Sequence, residues 1–276
     1  MISKSFFSYL LLFLFLLSAC STDQNKNIEK KKVIELEILY KEAFNNFEKG
    51  DYETAVKLFE LVEKDYSYTS WASQSLLMRS FIYYDTSNYI RALENLQRFK
   101  KKYAGNKNMD YAEYLIGLCL FEQINFSYLS QQTTELALKQ FNLIIKEYPD
   151  SKYVSDVKFK IDLLREQLAS KEIYIARYYV KRKKWLPAMY RLNNILKNYQ
   201  DTIFIEEALH RLVEINYSIG NVESAKKYAS ILGYNYNNSE WYKKSYKIIE
   251  PTKEIPSKEK NKISLKEKFK ELIKIK

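Results

Sequence analysis

The chain repeats itself. The segment KGDYETAVKLFELVEKDYS (49–67) is echoed by TSNYIRALENLQRFKKKYA (86–104), with Tyr52 and Tyr89, Ala55 and Ala92, Phe59 and Leu96, and Tyr66 and Tyr103 each 37 residues apart. An alanine followed four residues later by a second apolar residue recurs at Ala137/Phe141, Ala188/Leu192 and Ala225/Ala229. Ala188 and Ala225 are again 37 apart, as are Tyr199 and Tyr236. A fixed period of this length marks an array in which each unit buries its apolar face only against the next. The alanines fall where backbones cross, because a larger side chain would hold the elements apart. Only five glycines and four prolines occur in 276 residues. So few breakers favour long helices and short turns, and no stretch alternates as a half-buried strand does. The expected fold is all-α, a solenoid of about five helix–turn–helix repeats over residues 33–250.

The irregular spacings are informative. From Ala92 to Ala137 is 45 residues, eight more than the period, and the excess falls near QINFSYLSQQTT (123–134), read as a lengthened turn within repeat three. From Ala137 to Ala188 is 51, an excess of 14, and residues 153–182 contain neither proline nor glycine. Fourteen residues are close to four turns at about 3.6 residues each, so the packing register survives. The spacing predicts that the first helix of repeat four is extended at its N-terminal end.

Within the first unit, Gly50-Asp51-Tyr52 forms the turn between helices A and B, Ala43 takes the small position of helix A, and Ala55 and Phe59 pack helix B. This pattern resembles the tetratricopeptide repeat. The resemblance implies that A helices line a groove, with Tyr40, Phe44 and Phe47, then Leu77, Phe81 and Tyr84, then Tyr114, Leu118 and Phe121 facing it. Such a wall suits an extended peptide with aromatic side chains; the plainer reading is that these rings pack between repeats. In repeat four the equivalent places are Arg177 and Lys181, i and i+4 on one face, within IYIARYYVKRKKW, where aromatic and basic residues are densest. Lys183 and Lys184 read as a solvated turn.

The N-terminus carries its own signal. Lys4 precedes FFSYLLLFLFLL (6–17), an apolar run of signal-peptide length and short for a membrane span. Ser18-Ala19-Cys20 follows and resembles the bacterial lipobox. The resemblance implies that residues 1–19 are removed and that Cys20 receives an N-acyl diacylglycerol, with Ser21 next to it directing the chain to the outer membrane. Acyl chains contribute about 0.8 kcal/mol per buried methylene, so several of them anchor durably. Residues 20–32 are then a lipidated start and linker. Cys119, in YLIGLCLFE, has no partner left and reads as a buried, inert thiol.

Little in the chain suggests chemistry. The single histidine, His210, falls at a groove position of repeat five with no cysteine pair nearby, so no metal is expected. No glycine-rich phosphate loop, nucleophile triad or paired catalytic carboxylates stand out. The net charge of +11 is uneven: residues 252–276 hold nine lysines against four glutamates, or +5. For a periplasmic lipoprotein a basic balance points to acidic protein surfaces or headgroups, not nucleic acid. Residues 251–276 read as a basic flexible tail in which Leu265, Phe269, Leu272 and Ile273 align as a short amphipathic helix.

IARYYVKRKKWLPAMYRLNNILKNYQDT, LYKEAFNNFEKGDYETAVKLFELVEKDY and KEYPDSKYVSDV together resemble the BamD (ComL or YfiO) family of tetratricopeptide lipoproteins over residues 20 to about 250. One departure stands out, because Ser67 and Ala104 replace the family's proline after Tyr66 and Tyr103. The resemblance implies a non-enzymatic assembly factor under the outer membrane, with no cofactor beyond the acyl chains. Arg177, Tyr178, Lys181 and Arg191 would hold the periplasmic domains of an Omp85-type barrel subunit. Tyr40, Phe44, Phe47, Leu77, Phe81 and Tyr84 would receive targeting segments of unfolded outer-membrane proteins. Other assembly lipoproteins are expected partners. The alternative is an adaptor of another envelope machine, a pilus pilotin or a cell-division coordinator; residues 21–35 are short for the coordinator's usual coiled coil.

Overall fold

In the computed structural model residues 21–67, 69–124 and 131–252 are described, with side chains from residue 33 onward. Eleven helices and no strand occur among them: α1 Ser21–Glu48, α2 Tyr52–Asp65, α3 Ser70–Asp85, α4 Tyr89–Lys102, α5 Met109–Glu122, α6 Gln132–Glu147, α7 Val154–Lys181, α8 Trp185–Asn198, α9 Ile205–Ser218, α10 Val222–Asn235 and α11 Glu240–Ile249. The pairs α1–α2, α3–α4, α7–α8 and α9–α10 pack as the A and B helices of tetratricopeptide-type repeats, and α5 and α6 take the A and B places of the third repeat in sequence order. The leader, Cys20 and the amphipathic stretch of the tail lie outside the described residues.

The periodic residues are the core. Ala55 and Phe59, Ala92 and Leu96, Ala137 and Phe141, and Ala188 and Leu192 are all fully buried. Burying each leucine or phenylalanine of these pairs stabilises by about 1.5–3 kcal/mol relative to leaving it in water. Ala43 is sealed against Ala55, Phe59 and Ile82, with Tyr40, Phe47 and Tyr52 around them.

Short A–B turns share one device. The middle residue of each three-residue turn has a positive φ: Gly50 at 79°, Ser87 at 59°, Lys183 at 54° and Gly220 at 81°. In three of the four the next residue caps the B helix, Asp51 accepting from the Thr54 amide, Asn88 from Arg91 and Asn221 from Ser224. Such caps satisfy amides that the first helical turn leaves open. Glycine takes the left-handed conformation at no steric cost, whereas Ser87 and Lys183 hold it against about 1 kcal/mol or more.

The irregular spacings resolve cleanly. Helix α7 runs for 28 residues, twice the 14 of α9, its counterpart in the next repeat. Helix α6 is 16 residues long against 14 for α2, and the lengthened turn expected at 123–134 falls mostly on residues 125–130, outside the described residues. Residues 21–32, read from the sequence as linker, belong instead to α1, whose 28 residues include no glycine or proline to stop it.

The chain divides into two compact units at Gln123/Ile124, inside repeat three. In the first, α3 packs against α1, α2, α4 and α5. In the second, α7 packs against α6 and α8, and α9 against α7, α8, α10 and α11. Helix α11 arrives where the next A helix is due, starting 35 residues after α9 (240 against 205).

Candidate functional site

The two sets of sequence-predicted residues fall in different units. In the first, Phe44, Phe47 and Phe81 form an aromatic run across α1 and α3. Ring centroids are 5.9 Å apart for Phe44–Phe47 and 6.0 Å for Phe47–Phe81, and Tyr52 joins at 6.0 Å from Phe47. Phe44 is the most accessible, at 37% exposure. Tyr40 turns inward, 5.4 Å from Phe59 and 4.6 Å from Trp71, and burial pushes its hydroxyl up. Tyr84 stacks 6.0 Å from Tyr89, and burial, with the nearby Glu122 charge, pushes it up to about 12. Tyr114, Leu118 and Phe121 on α5 are half-buried. Leu77 requires a correction. At 5% exposure it is core and offers no surface, because α3 has helices on several sides.

In the second unit two of the three predicted cations, Arg177 and Arg191, are engaged within the chain. Arg177 on α7 forms a bidentate pair with Glu207 on α9, Nε donating to Oε1 at 2.8 Å and Nη2 to Oε2. Arg211 donates from Nε to the same Oε1 at 3.3 Å and from Nη1 to Glu214 at 2.7 Å. Burial pushes the Glu207 carboxyl up, but the bonds and charges of Arg177 and Arg211 prevail and hold it below the usual glutamate value. Arg177 is raised in turn by its bond to Glu207. Arg191 on α8 donates to buried Glu172 on α7 at 3.2 Å. These are bonds that fasten neighbouring helices, and the half-exposed Arg177 serves a partner only while holding Glu207.

What remains accessible in repeat four is aromatic and basic. Tyr174 and Tyr178 lie i, i+4 on α7, both exposed, and the Arg182 guanidinium sits 4.4 Å from the Tyr178 ring centroid. Lys181, Lys183 and Lys184 are exposed beside them. On α8, Leu186 at 81% and Tyr190 at 70% exposure form a second i, i+4 strip. Sequence reasoning passed over this pair, yet the signal was present. With Ala188 and Leu192 fixed inside, residues 186 and 190 must point away.

His210 is not a surface residue. It is buried, with Nδ1 2.8 Å from the Ser245 Oγ, Nε2 3.4 Å from Glu214, and its ring 5.1 Å from that of Trp241. It joins α9 to α11. Burial raises the Glu214 carboxyl, but bonds from His210 and Arg211 outweigh this and lower it. Among the described residues no group of three or more His, Cys, Asp or Glu is placed to hold a metal ion. Cys119 is buried, and burial pushes its thiol up to about 12, as an inert core cysteine requires.

Fold and surfaces together define a helical-hairpin repeat protein. A profile of the family YfiO, outer membrane lipoprotein, matches residues 34–232, and the chain belongs to that family. It is similar to the outer membrane protein assembly factor BamD of Caulobacter vibrioides, 36% identical over 214 residues, 78% of this chain and 70% of the relative. The same-named protein of Rickettsia prowazekii is 33% identical, covering 88% of this chain and 95% of its own. That of Neisseria meningitidis serogroup A is 31% identical, covering 81% and 88%. Among solved structures the TPR domain of P58(IPK) aligns with 84% of this chain and 62% of its own, at TM-score 0.43 and 15% identity.

Proposed function

We propose that this chain is an outer-membrane protein assembly factor that works as a scaffold and performs no covalent chemistry. The observation that carries the reading is family membership over residues 34–232, with relatives named as assembly factors. In this reading Cys20 bears the acyl chains that hold the protein at the periplasmic face of the outer membrane. No helix among the described residues is long and apolar enough to cross a membrane.

Repeat four is the surface for an Omp85-type barrel subunit. Lys181, Tyr178 and the outer edge of Arg177 present charge and aromatic area there, and such charges set orientation and on-rate more than affinity. Aromatic rings and arginine are the residues that most often carry binding energy when they are covered. The run Phe44–Phe47–Phe81 is the surface for targeting segments of unfolded outer-membrane proteins. Other assembly lipoproteins complete the complex.

The test is affinity capture from detergent-solubilised envelopes with the wild-type chain and with Lys181→Glu and Tyr178→Ala. Recovery of an Omp85-type barrel subunit, reduced at least several-fold by both substitutions at unchanged melting temperature, is expected. Recovery of a pilus secretin without any such barrel would overturn the reading. Arg177→Glu is a poorer probe, since it sets two carboxylates together at Glu207 and perturbs the α7–α9 contact.

A further inference from the structure

Among the described residues the array ends on an A helix with no B helix after it. Each earlier A helix of the second unit is followed by a B helix packed on it, α7 by α8 and α9 by α10. Helix α11 stands at the A position after α10, packs on α9 and α10, and is followed by no further helix among the described residues. A groove of about 630 Å³ lies between α10 and α11. Its floor is Ala229 and Gly233 from α10 and Tyr242, Tyr246 and Ile249 from α11. Lys226 and Glu250 mark its rim. The spacing on each wall is three to four residues, as a helix docked alongside would need.

We infer that this groove is a helix-docking site whose occupant is the chain's own segment 263–273, which completes a sixth hairpin with α11. Three observations favour that occupant. The apolar stripe of the segment runs from Leu265 to Ile273, about 12 Å along a helix, and the wall from Tyr242 to Glu250 is also about 12 Å at 1.5 Å per residue. Ten residues, 253–262, separate Thr252 at the end of the described structure from Ile263, and an extended chain of that length spans up to about 33 Å. The segment therefore reaches back to the groove and meets it at an effective concentration of about the millimolar range. Its opposite face carries Glu267, Lys270, Glu271 and Lys274, so docking leaves the charges in water. The polar spacer TKEIPSKEKNK supplies the slack between the two helices of the hairpin.

The experiment titrates a fluorescein-labelled peptide of residues 261–276 with three proteins: the full chain, a variant ending at Thr252, and that same variant carrying Ser230→Arg. Ser230 is exposed on the groove wall, so the substitution blocks the groove without touching the core. The peptide is expected to bind the shortened chain, to bind the full chain at least tenfold more weakly because its own segment is in place, and to lose at least tenfold on Ser230→Arg. Equal binding to full and shortened chains, no binding to the shortened chain, or indifference to Ser230→Arg would each overturn the assignment. So would segment-dependent binding of the full chain to phosphatidylglycerol vesicles that Ser230→Arg in the full chain leaves unaltered, which would make a membrane the occupant. Self-association of the full chain, absent from the shortened one, would make it a second copy and overturn the intramolecular hairpin.

Discussion

Gly233 gives the sharpest test of how α11 is held. A methyl group built on its Cα would sit 2.6 Å from Cε2 of Tyr242, 3.1 Å from Cζ and 3.3 Å from Cδ2. Carbon atoms rest about 3.5–4.0 Å apart, so the ring must retreat by about 1 Å. Tyr242 is buried and packed in the same cluster as Ile231, Leu232 and Trp241. It has little room to give except toward the groove it lines. Overpacking of this kind costs about 1–3 kcal/mol, while exchanging glycine for alanine in a helix returns up to about 1 kcal/mol. Gly233→Ala is therefore expected to destabilise by about 0–2 kcal/mol, concentrated in α11. In a Tyr242→Ala background the obstacle is gone, and the same change should stabilise by up to about 1 kcal/mol. The coupling between the two positions is then about 1–3 kcal/mol, within the range for residues in contact. Urea unfolding of the four proteins measures it, and hydrogen exchange of the α11 amides locates it. An identical effect of Gly233→Ala in both backgrounds, or unaltered exchange in α11, would refute the reasoning.

Other expectations are briefer. Glu207→Gln should cost about 1–3 kcal/mol at neutral pH, since a charged acceptor bonded to two arginines is lost. Because the folded state holds this carboxyl below its usual value, its contribution is full above that value and fades as pH falls through the folded one. Wild type and variant should therefore converge in urea melts taken on acidification. Lys183→Gly should stabilise by up to about 1 kcal/mol by releasing a left-handed residue with a side chain, read as a higher melting temperature; a lower one would mean that the lysine side chain itself holds the turn. Cys119, with its thiol up at about 12, should resist iodoacetamide at pH 8 in the native chain and react in denaturant, and native alkylation would contradict its burial.

The array was legible because its signals are local and recur. One alanine and one large residue per helix, in a fixed period, name the crossing points, and the 14-residue excess of repeat four gave the long α7 because whole turns were added without a breaker. Partners were not legible. Arg177 and Glu207 are 30 residues apart, and nothing in a run such as KRKK says which cation is already satisfied across a helix interface. Leu77 was misplaced because a single helix face was assumed for α3, which has neighbours on several sides. Helix α11 was not singled out: its ten residues carry no alanine pair, and its place is fixed by Tyr242 against Gly233 and by Ser245 bonded to His210, 35 residues away.

Helix α7 carries a mechanical consequence. It runs unbroken through 28 residues, pinned near its middle where Arg165 donates to the Asn198 carbonyl at 2.9 Å and Glu166 accepts from the Ile203 amide at 3.0 Å. Exposed Phe159 lies toward one end and exposed Tyr178 toward the other, about 28 Å apart at 1.5 Å per residue. Such a rod acts as a ruler. Two ligands gripping its ends would be kept at a set separation, and a pull on one would reach the other without any side chain in between having to repack.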